Sequence, residues 1–207
     1  WMEDLGQLED KHRHFSHMYG LFPGNVLSTT KTPSLIDPIK AVLEQRGDGG
    51  TGFSRAWKMA LWARLSNGDR ANSIYKGYLQ EQCYLSLFAK CYTPLQVDGT
   101  LGVTAAISEM LVQSHEDVIQ LLPALPKEWN SGKFYGVCTR GAFELNLEWE
   151  KGVTKKVEIL SKAGKNCRIS ANNTVKIFVN GNQVQIKSKN GYIEFPTEKG
   201  QMYKLEY

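Results

Sequence analysis

Asp98 is the carboxylate in this chain whose setting most favours chemistry. It lies in the stretch QVDGTLG at residues 96–102, directly before a strongly periodic segment. Val103, Ala106, Ile107, Met110 and Leu111 recur at i, i+3, i+4, i+7 and i+8, which predicts one apolar face of a helix rooted in a core. A loop over residues 96–102 would then be held by something rigid. Gly99 and Gly102 permit backbone angles and close approaches that side chains block, and a helix N-terminus favours nearby negative charge, so Asp98 is expected to be ionised. Two roles fit this setting: a cap for the helix or an adjacent turn, and a catalytic carboxylate at the mouth of a site. Spacing alone does not separate them.

A second group of reactive side chains is His12, Arg13, His14 and His17, with Tyr19 and the breaker Phe22-Pro23-Gly24 just beyond. On a helix, His14 and His17 would share a face at i, i+3, whereas His12 and His14 would point apart. A metal site would need a third or fourth ligand, and no further His, Cys or carboxylate stands at a recognised spacing from the cluster. Two other readings remain open. The imidazoles can be satisfied by backbone groups in a packed turn, or they can serve a neutral, hydroxyl-rich ligand, with Arg and His as directional donors and aromatics as flat apolar faces.

The elements that must position these groups fall into two parts with different periods. Leu35, Ile36, Ile39, Val42 and Leu43 predict a helix ended by Gly47. Trp57, Ala60, Leu61, Arg64 and Leu65 predict a second, opened by Ser54 as N-cap and stopped near Gly68, and Ala71, Ile74, Tyr75, Tyr78 and Leu79 a third after Asp69. The prolines and glycine of LLPALPKEWNSG, residues 121–132, break the pattern, and the period becomes two. Phe143, Leu145, Leu147 and Trp149 alternate with polar residues, as do Val175, Ile177 and Val179 before an Asn180-Gly181 hairpin turn, after which Val184 and Ile186 resume the alternation. Tyr203, Leu205 and Tyr207 form a last strand. The predicted fold class is therefore α+β, mixed and multi-domain: helices over residues 1–120, a linker at 121–135, and an antiparallel, sandwich-like β-domain over 136–207. Trp1 opens in WMEDLGQLEDKHRHFSH without a helix start signal, so the chain is expected to be a fragment of something longer.

Composition narrows the partners. The chain has 207 residues and a formal net charge of +4. Lys155, Lys156, Lys162, Lys165, Lys187, Lys189 and Lys199 are spread through the alternating region, which reads as a solvated face and not as a nucleic-acid patch. No apolar run is long enough to cross a bilayer, and no signal-peptide pattern opens the chain. Cys83, Cys91, Cys138 and Cys167 form no CxxC pair. Cys83 and Cys91 are near enough in sequence for a disulfide, although buried free thiols are the simpler state. The cellular compartment stays open.

Four blocks, in order, carry a resemblance: HRHFSHMYGLFPG (12–24), RGDGGTGFSRAWKMALWARLSNGDRA (46–71), QVDGTLGVTAAISEMLVQSH (96–115) and LLPALPKEWNSGKFYGVCTRGAFELNLEW (121–149). Together they resemble glycoside hydrolase family 95, the inverting α-1,2-L-fucosidases, some members of which act on α-L-galactosides. The resemblance implies a parent enzyme with an N-terminal β-domain, an (α/α)6 barrel and a C-terminal β-domain, of which this chain matches the closing helices and the C-terminal sheet. It further implies a fucosylated or L-galactosylated oligosaccharide as substrate, no cofactor or metal, and a secreted or periplasmic parent.

Inversion needs an acid for the leaving oxygen and a base that activates water on the opposite face of the sugar. In this family an asparagine polarised by an aspartate is thought to position the water, and Asp98 matches that aspartate. Arg13 and His14 match positions associated with contacts to the sugar in the −1 subsite, while His12 and His17 are assigned to loop order. The asparagine and the glutamic acid lie upstream in such enzymes, before the point where this chain begins. Glu3, Asp4, Glu9 and Asp10 are not assigned that acid role, and this chain alone is expected to be inactive. The loop departs from the family pattern at Val97, Thr100 and Leu101, where isoleucine, asparagine and phenylalanine are expected. Thr100 replaces an amide with a hydroxyl, which puts the choice of sugar in doubt.

Two rivals follow from the residues. Tyr192, Tyr203 and Tyr207 would make a non-catalytic carbohydrate-binding or interaction module if they shared an exposed face, and would otherwise fill a core. The histidine cluster would make a metal-dependent hydrolase. An unfinished barrel would expose apolar helix faces, either to the missing N-terminal part of the parent or to self-association.

Overall fold

The computed structural model describes residues 12–171, 175–189 and 191–207. The chain divides into two compact units, with the break after Met110. The early carboxylates Glu3, Asp4, Glu9 and Asp10 lie outside the described residues.

The first unit is helical: α1 (Ile36–Arg46), α2 (Gly52–Arg64), α3 (Gly68–Glu81) and α4 (Val97–Leu111), the last running to the boundary. α1 stops at Gly47, whose φ of 66° is a left-handed value that glycine adopts without steric cost. α3 opens under an Asn67 side-chain cap that accepts from Arg70 N at 3.0 Å. Its buried positions Ala71, Ile74 and Tyr78 follow the predicted stripe, whereas Leu79 faces outward.

Three sequence expectations change in this unit. Residues 12–24 form turns with one short 3-10 helix at Ser16–Met18, so His14 and His17 do not share an α-helical face. α2 begins at Gly52, and Ser54 is not its N-cap but donates its hydroxyl to the Arg13 carbonyl at 2.8 Å. α2 is also buried on nearly every side, with Arg55, Lys58 and Arg64 among its buried residues, where the periodicity suggested a single apolar stripe.

Buried cations survive only when their donors are matched. Arg64 meets that condition on all sides. Its Nε and Nη2 grip the two oxygens of Glu109 on α4 at 2.6 and 3.0 Å, and its Nη1 donates to the carbonyls of Leu21 and Gly24 at 3.2 and 3.1 Å. The guanidinium also lies 5.2 Å from the centre of the Phe22 ring. One side chain thus joins α2, α4 and the turn at residues 21–24. Lys58 donates to the Gly49 carbonyl and sits 5.2 Å over the Phe15 ring.

The second unit is built on antiparallel pairs. A six-stranded sheet has the order β3 (Gly132–Thr139), β4 (Phe143–Glu150), β5 (Val153–Ser161), β11 (Met202–Glu206), β7 (Lys176–Val179), β8 (Asn182–Gln183). A three-stranded sheet has the order β6 (Cys167–Ser170), β10 (Tyr192–Phe195), β9 (Lys187–Lys189), and β1 (Val112–Gln113) pairs with β2 (Gln120–Leu121). Alternation sends Leu145, Leu147, Val157, Ile159 and Leu205 from the larger sheet, and Ile169, Ile193 and Phe195 from the smaller one, into a single apolar core. The Asn180-Gly181 turn has φ of 49° and 80°, the left-handed pair that a two-residue hairpin of this kind requires. Gly132 lies under Trp149: a Cβ there would come within 2.3 Å of the indole, which itself donates to the Trp129 carbonyl at 2.7 Å.

Residues 121–135, read from the sequence as a linker, pack Leu121, Leu122, Leu125, Trp129 and Phe134 against this core. Tyr203 is 3% exposed, lies 5.4 Å from Phe195 between ring centres in a tilted pair and accepts from Glu198 N at 2.8 Å, so it cannot share a sugar-stacking face with Tyr192 and Tyr207. All four cysteines are free thiols. Among the described residues no helix is long and apolar enough to cross a membrane.

Arg64→Met is expected to cost about 3–5 kcal/mol, because Glu109 and two carbonyls lose the guanidinium donors inside the unit. Chemical denaturation measures it, and a loss below about 1 kcal/mol would show that the pair is not a tie.

Candidate active site

The site grows from the N-terminal end of α2. The first N–H groups of a helix have no partner within it, and at a buried end they must find one elsewhere. Thr51, the N-cap, supplies no side-chain bond. Gly52 N instead donates to the Lys90 carbonyl at 2.9 Å, and Phe53 N donates to the side-chain oxygen of Gln96 at 3.0 Å. The residue two positions before Asp98 therefore caps α2.

Close packing completes the junction. A Cβ on Gly99 would lie 2.7 Å from the Ala89 Cβ, 2.8 Å from Phe53 N and 3.0 Å from the Gly52 carbonyl carbon. A Cβ on Gly52 would lie 2.8 Å from the same Ala89 methyl. One turn along α4, Gly102 faces Ala56 at 3.1 Å on the same construction. Thr100, one of three residues that differ from the expected pattern, accepts from Ala89 N at 2.9 Å and donates to the Gln96 carbonyl at 3.3 Å. Its hydroxyl thus ties the incoming strand segment to the helix start.

Asp98 is not in a loop, as the sequence suggested. It occupies the first turn of α4, which starts at Val97, and it is exposed. Its Oδ1 accepts from Gly99 N at 3.0 Å. Arg13 reaches the same end of α2 from the other side: its carbonyl is held by Ser54, and the Arg46 guanidinium holds the carbonyl of His12 at 3.0 Å. Fully buried Phe15 anchors the turn against Trp57, at 6.4 Å between ring centres. Trp57 is half-buried, packs on Phe53 at 5.5 Å and donates its indole N–H to the Phe22 carbonyl at 2.9 Å.

A cleft of about 550 Å³ opens beside Arg13, with His12, Gly50, Thr51, Gln82 and Tyr92 in its wall. Arg55 and Glu81 also line it as an ion pair, and Arg55 Nε donates to the Gly50 carbonyl at 3.3 Å. Gly77 makes room for that guanidinium, since a Cβ there would stand 2.6 Å from its Nη1. The structure brings Arg13 and Asp98 to one helix end, but Asp98 and His14 do not line this cleft. Sequence reasoning missed Arg55, Glu81 and Gln96. Arg55 and Glu81 sit on separate helices with no periodic relation, whereas the position of Gln96 beside Asp98 was a usable signal.

His14 is exposed, its N–H donates to Nδ1 of His12 at 3.2 Å, and the two rings lie 5.2 Å apart. Its pKa is held below the ordinary histidine value by partial burial first, then by the charges of Arg13 and His12. Partial burial, with Arg46 nearby, likewise lowers His17. Neutral imidazoles suit a neutral polyol better than an anion. Among the described residues no three His, Cys, Asp or Glu side chains come together as a metal site.

The Glycosyl hydrolase family 95 catalytic domain matches residues 1–111, and the Glycoside hydrolase family 95, C-terminal domain matches residues 113–205. The chain is 39% identical to Alpha-L-fucosidase 2 of Arabidopsis thaliana over 163 residues, which is 73% of this chain and 19% of that protein. It is 29% identical to Probable alpha-fucosidase A of Aspergillus niger over 203 residues (87% of this chain, 25% of that protein) and 29% identical to its Aspergillus oryzae namesake over 188 residues (75% and 26%). The chain thus spans between 19% and 26% of the length of these relatives.

Two measurements probe the geometry. Gly99→Val should cost about 2–3 kcal/mol by forcing α4 away from α2, and an unchanged denaturation midpoint would contradict the close approach. Arg13→Gln should raise the titration point of His14 toward the ordinary value of 6.5, followed by NMR of its ring protons. Because folding depresses this pKa, the His14 contribution to stability is complete above the unfolded value and is lost as pH falls through the folded one. A His14 titration point that ignores Arg13 would remove the electrostatic coupling.

Proposed function

The chain belongs to glycosyl hydrolase family 95, and we propose that it furnishes part of the active site of an inverting α-L-fucosidase-like enzyme acting on terminal α-1,2-linked L-fucose or L-galactose. Asp98 orients and polarises the asparagine that positions the attacking water. Arg13 and His14 hold the sugar in the −1 subsite. The general acid comes from a part of the protein outside this chain.

The observation that carries this reading is the convergence of two distant segments on one helix end. Ser54 fixes Arg13 there, and Gln96 and Gly99 fix Asp98 there, although 85 positions separate the two residues in sequence. Positioning to within fractions of an ångström is what a displacement by water requires. The exposed Asp98 carboxylate has one oxygen on its own helix, so the other can accept from an amide supplied by a neighbouring element. The donors of Arg13 and the imidazole of His14 match the hydroxyl groups of a neutral sugar.

The rival readings have less behind them. A tyrosine platform would need Tyr203 at the surface, and that ring is in the core. A metal hydrolase would need ligands beyond His12 and His14.

In a protein that supplies the full length of the relatives, Asp98→Asn should lower turnover of a 2′-fucosyl oligosaccharide by about a hundred- to ten-thousand-fold while the circular dichroism spectrum is preserved. Near-normal turnover would remove Asp98 from the mechanism. The 207-residue chain by itself should release no fucose above background, and substantial release would locate the acid within it.

A further inference from the structure

We propose that the β-domain carries a second carbohydrate site, specific for an acidic sugar: the carboxylate of a uronic acid residue in an oligosaccharide binds the cleft between the end of β3 and the start of β6. The cleft has a volume of about 350 Å³, and Arg140, Lys165 and Arg168 line it. That volume is in the range of small-ligand sites.

The charges around it are unequal. Asp117 lines the cleft too, and it attracts Arg168. Arg168 Nε is bound to Glu194 at 3.0 Å, and Asn166 takes the other oxygen of that carboxylate at 3.2 Å. Nearby Lys162 is paired with Glu144. Arg140 and Lys165 enter no ion pair among the described residues. Two uncommitted cations facing one concavity favour an anion, and a guanidinium matches a carboxylate in planar geometry.

The walls are fixed by backbone. Ile119 N donates to the Arg168 carbonyl and Ser170 N to the Ile119 carbonyl, both at 2.8 Å, which seats the cleft floor against β6. Arg140 N donates to Ser114 Oγ at 3.1 Å, and the Lys165 carbonyl accepts from Thr197. The cations therefore spring from ordered main chain, which lowers the entropic cost of binding. Ile119 and Phe143, each 3% exposed, belong to the core and close the floor of the cleft beneath the cations. A single cleft of this size does not provide the extended basic track that a nucleic acid follows. The anion preference stands on the cleft alone, whereas the carbohydrate part rests on the glycoside hydrolase reading above.

The test is an NMR titration of the isotopically labelled 207-residue chain with trigalacturonate, its methyl ester, inorganic phosphate and single-stranded DNA. Trigalacturonate should shift the amides of Gly141 and Asn166, the methyl ester should not, and added salt should weaken the response. The exposed-residue variant R140Q/K165Q should bind trigalacturonate about tenfold more weakly with its other amides unmoved. An equal response to the ester, equal affinity for phosphate, preference for DNA, or unchanged affinity in the variant would each overturn the proposal. The acid-versus-ester comparison uses the unaltered chain and stands even if the variant does not fold. No fucose release is measured, so failure here leaves the fucosidase reading intact.

Discussion

The helical unit depends on how the buried N-terminus of α2 is satisfied. A helix surrounded by protein cannot hand its first N–H groups to water, so something in the chain must accept them. Here the acceptors are the Lys90 carbonyl and the Gln96 side chain, which bracket the short segment leading into α4. Once both bonds form, the start of α4 has little freedom. Gly52, Ala89 and Gly99 then meet at separations that larger side chains would forbid. The helix junction is thus set by a polar requirement and finished by small residues.

The cations of α2 follow the same logic further along. Arg55, Lys58 and Arg64 point to different sides of one buried helix, and each finds carbonyls or a carboxylate there. Burial of this kind contributes little net stability, because desolvation offsets the attraction, but a wrong arrangement would leave a charge unmatched. The arginines and the lysine tie the turns at residues 21–24 and 49–50 to α2.

These polar ties were the least legible part of the sequence. Periodicity located all four helices, the strands through Phe143 and Ile177, and the hairpin at Asn180-Gly181, because one-sided burial leaves a repeating trace. It failed where burial is two-sided: the stripe through Trp57, Ala60, Leu61, Arg64 and Leu65 gave α2 one inward face, whereas nearly every side of it is buried, Arg55 and Lys58 included. It gave no signal at residues 121–135, where prolines interrupt the pattern and Leu122, Leu125 and Trp129 pack against the sheet core. The Arg55–Glu81 pair left no trace, since contacts between helices have no fixed sequence interval. Of the candidate site residues, the sequence pointed to Asp98, Arg13 and His14 by resemblance and neighbourhood, but it could not supply the α2 end on which Arg13 and Asp98 are mounted.

The placement of Asp98 inside a helix, and not in a loop before it, bears on what the residue can do. A loop carboxylate samples several orientations and must be fixed by its ligand, at an entropic cost. In the first turn of α4 the backbone is set by the Gly99–Gly52 contact, and one carboxylate oxygen is engaged by Gly99 N. What remains is the second oxygen, carried on a helix turn whose backbone is fixed. Such a group is suited to holding another side chain in one orientation, because a fixed acceptor selects the rotamer of whatever donates to it. The close glycine packing and the proposed positioning role of Asp98 are therefore connected: the small residues that let α4 approach α2 also fix the helix turn that carries the carboxylate.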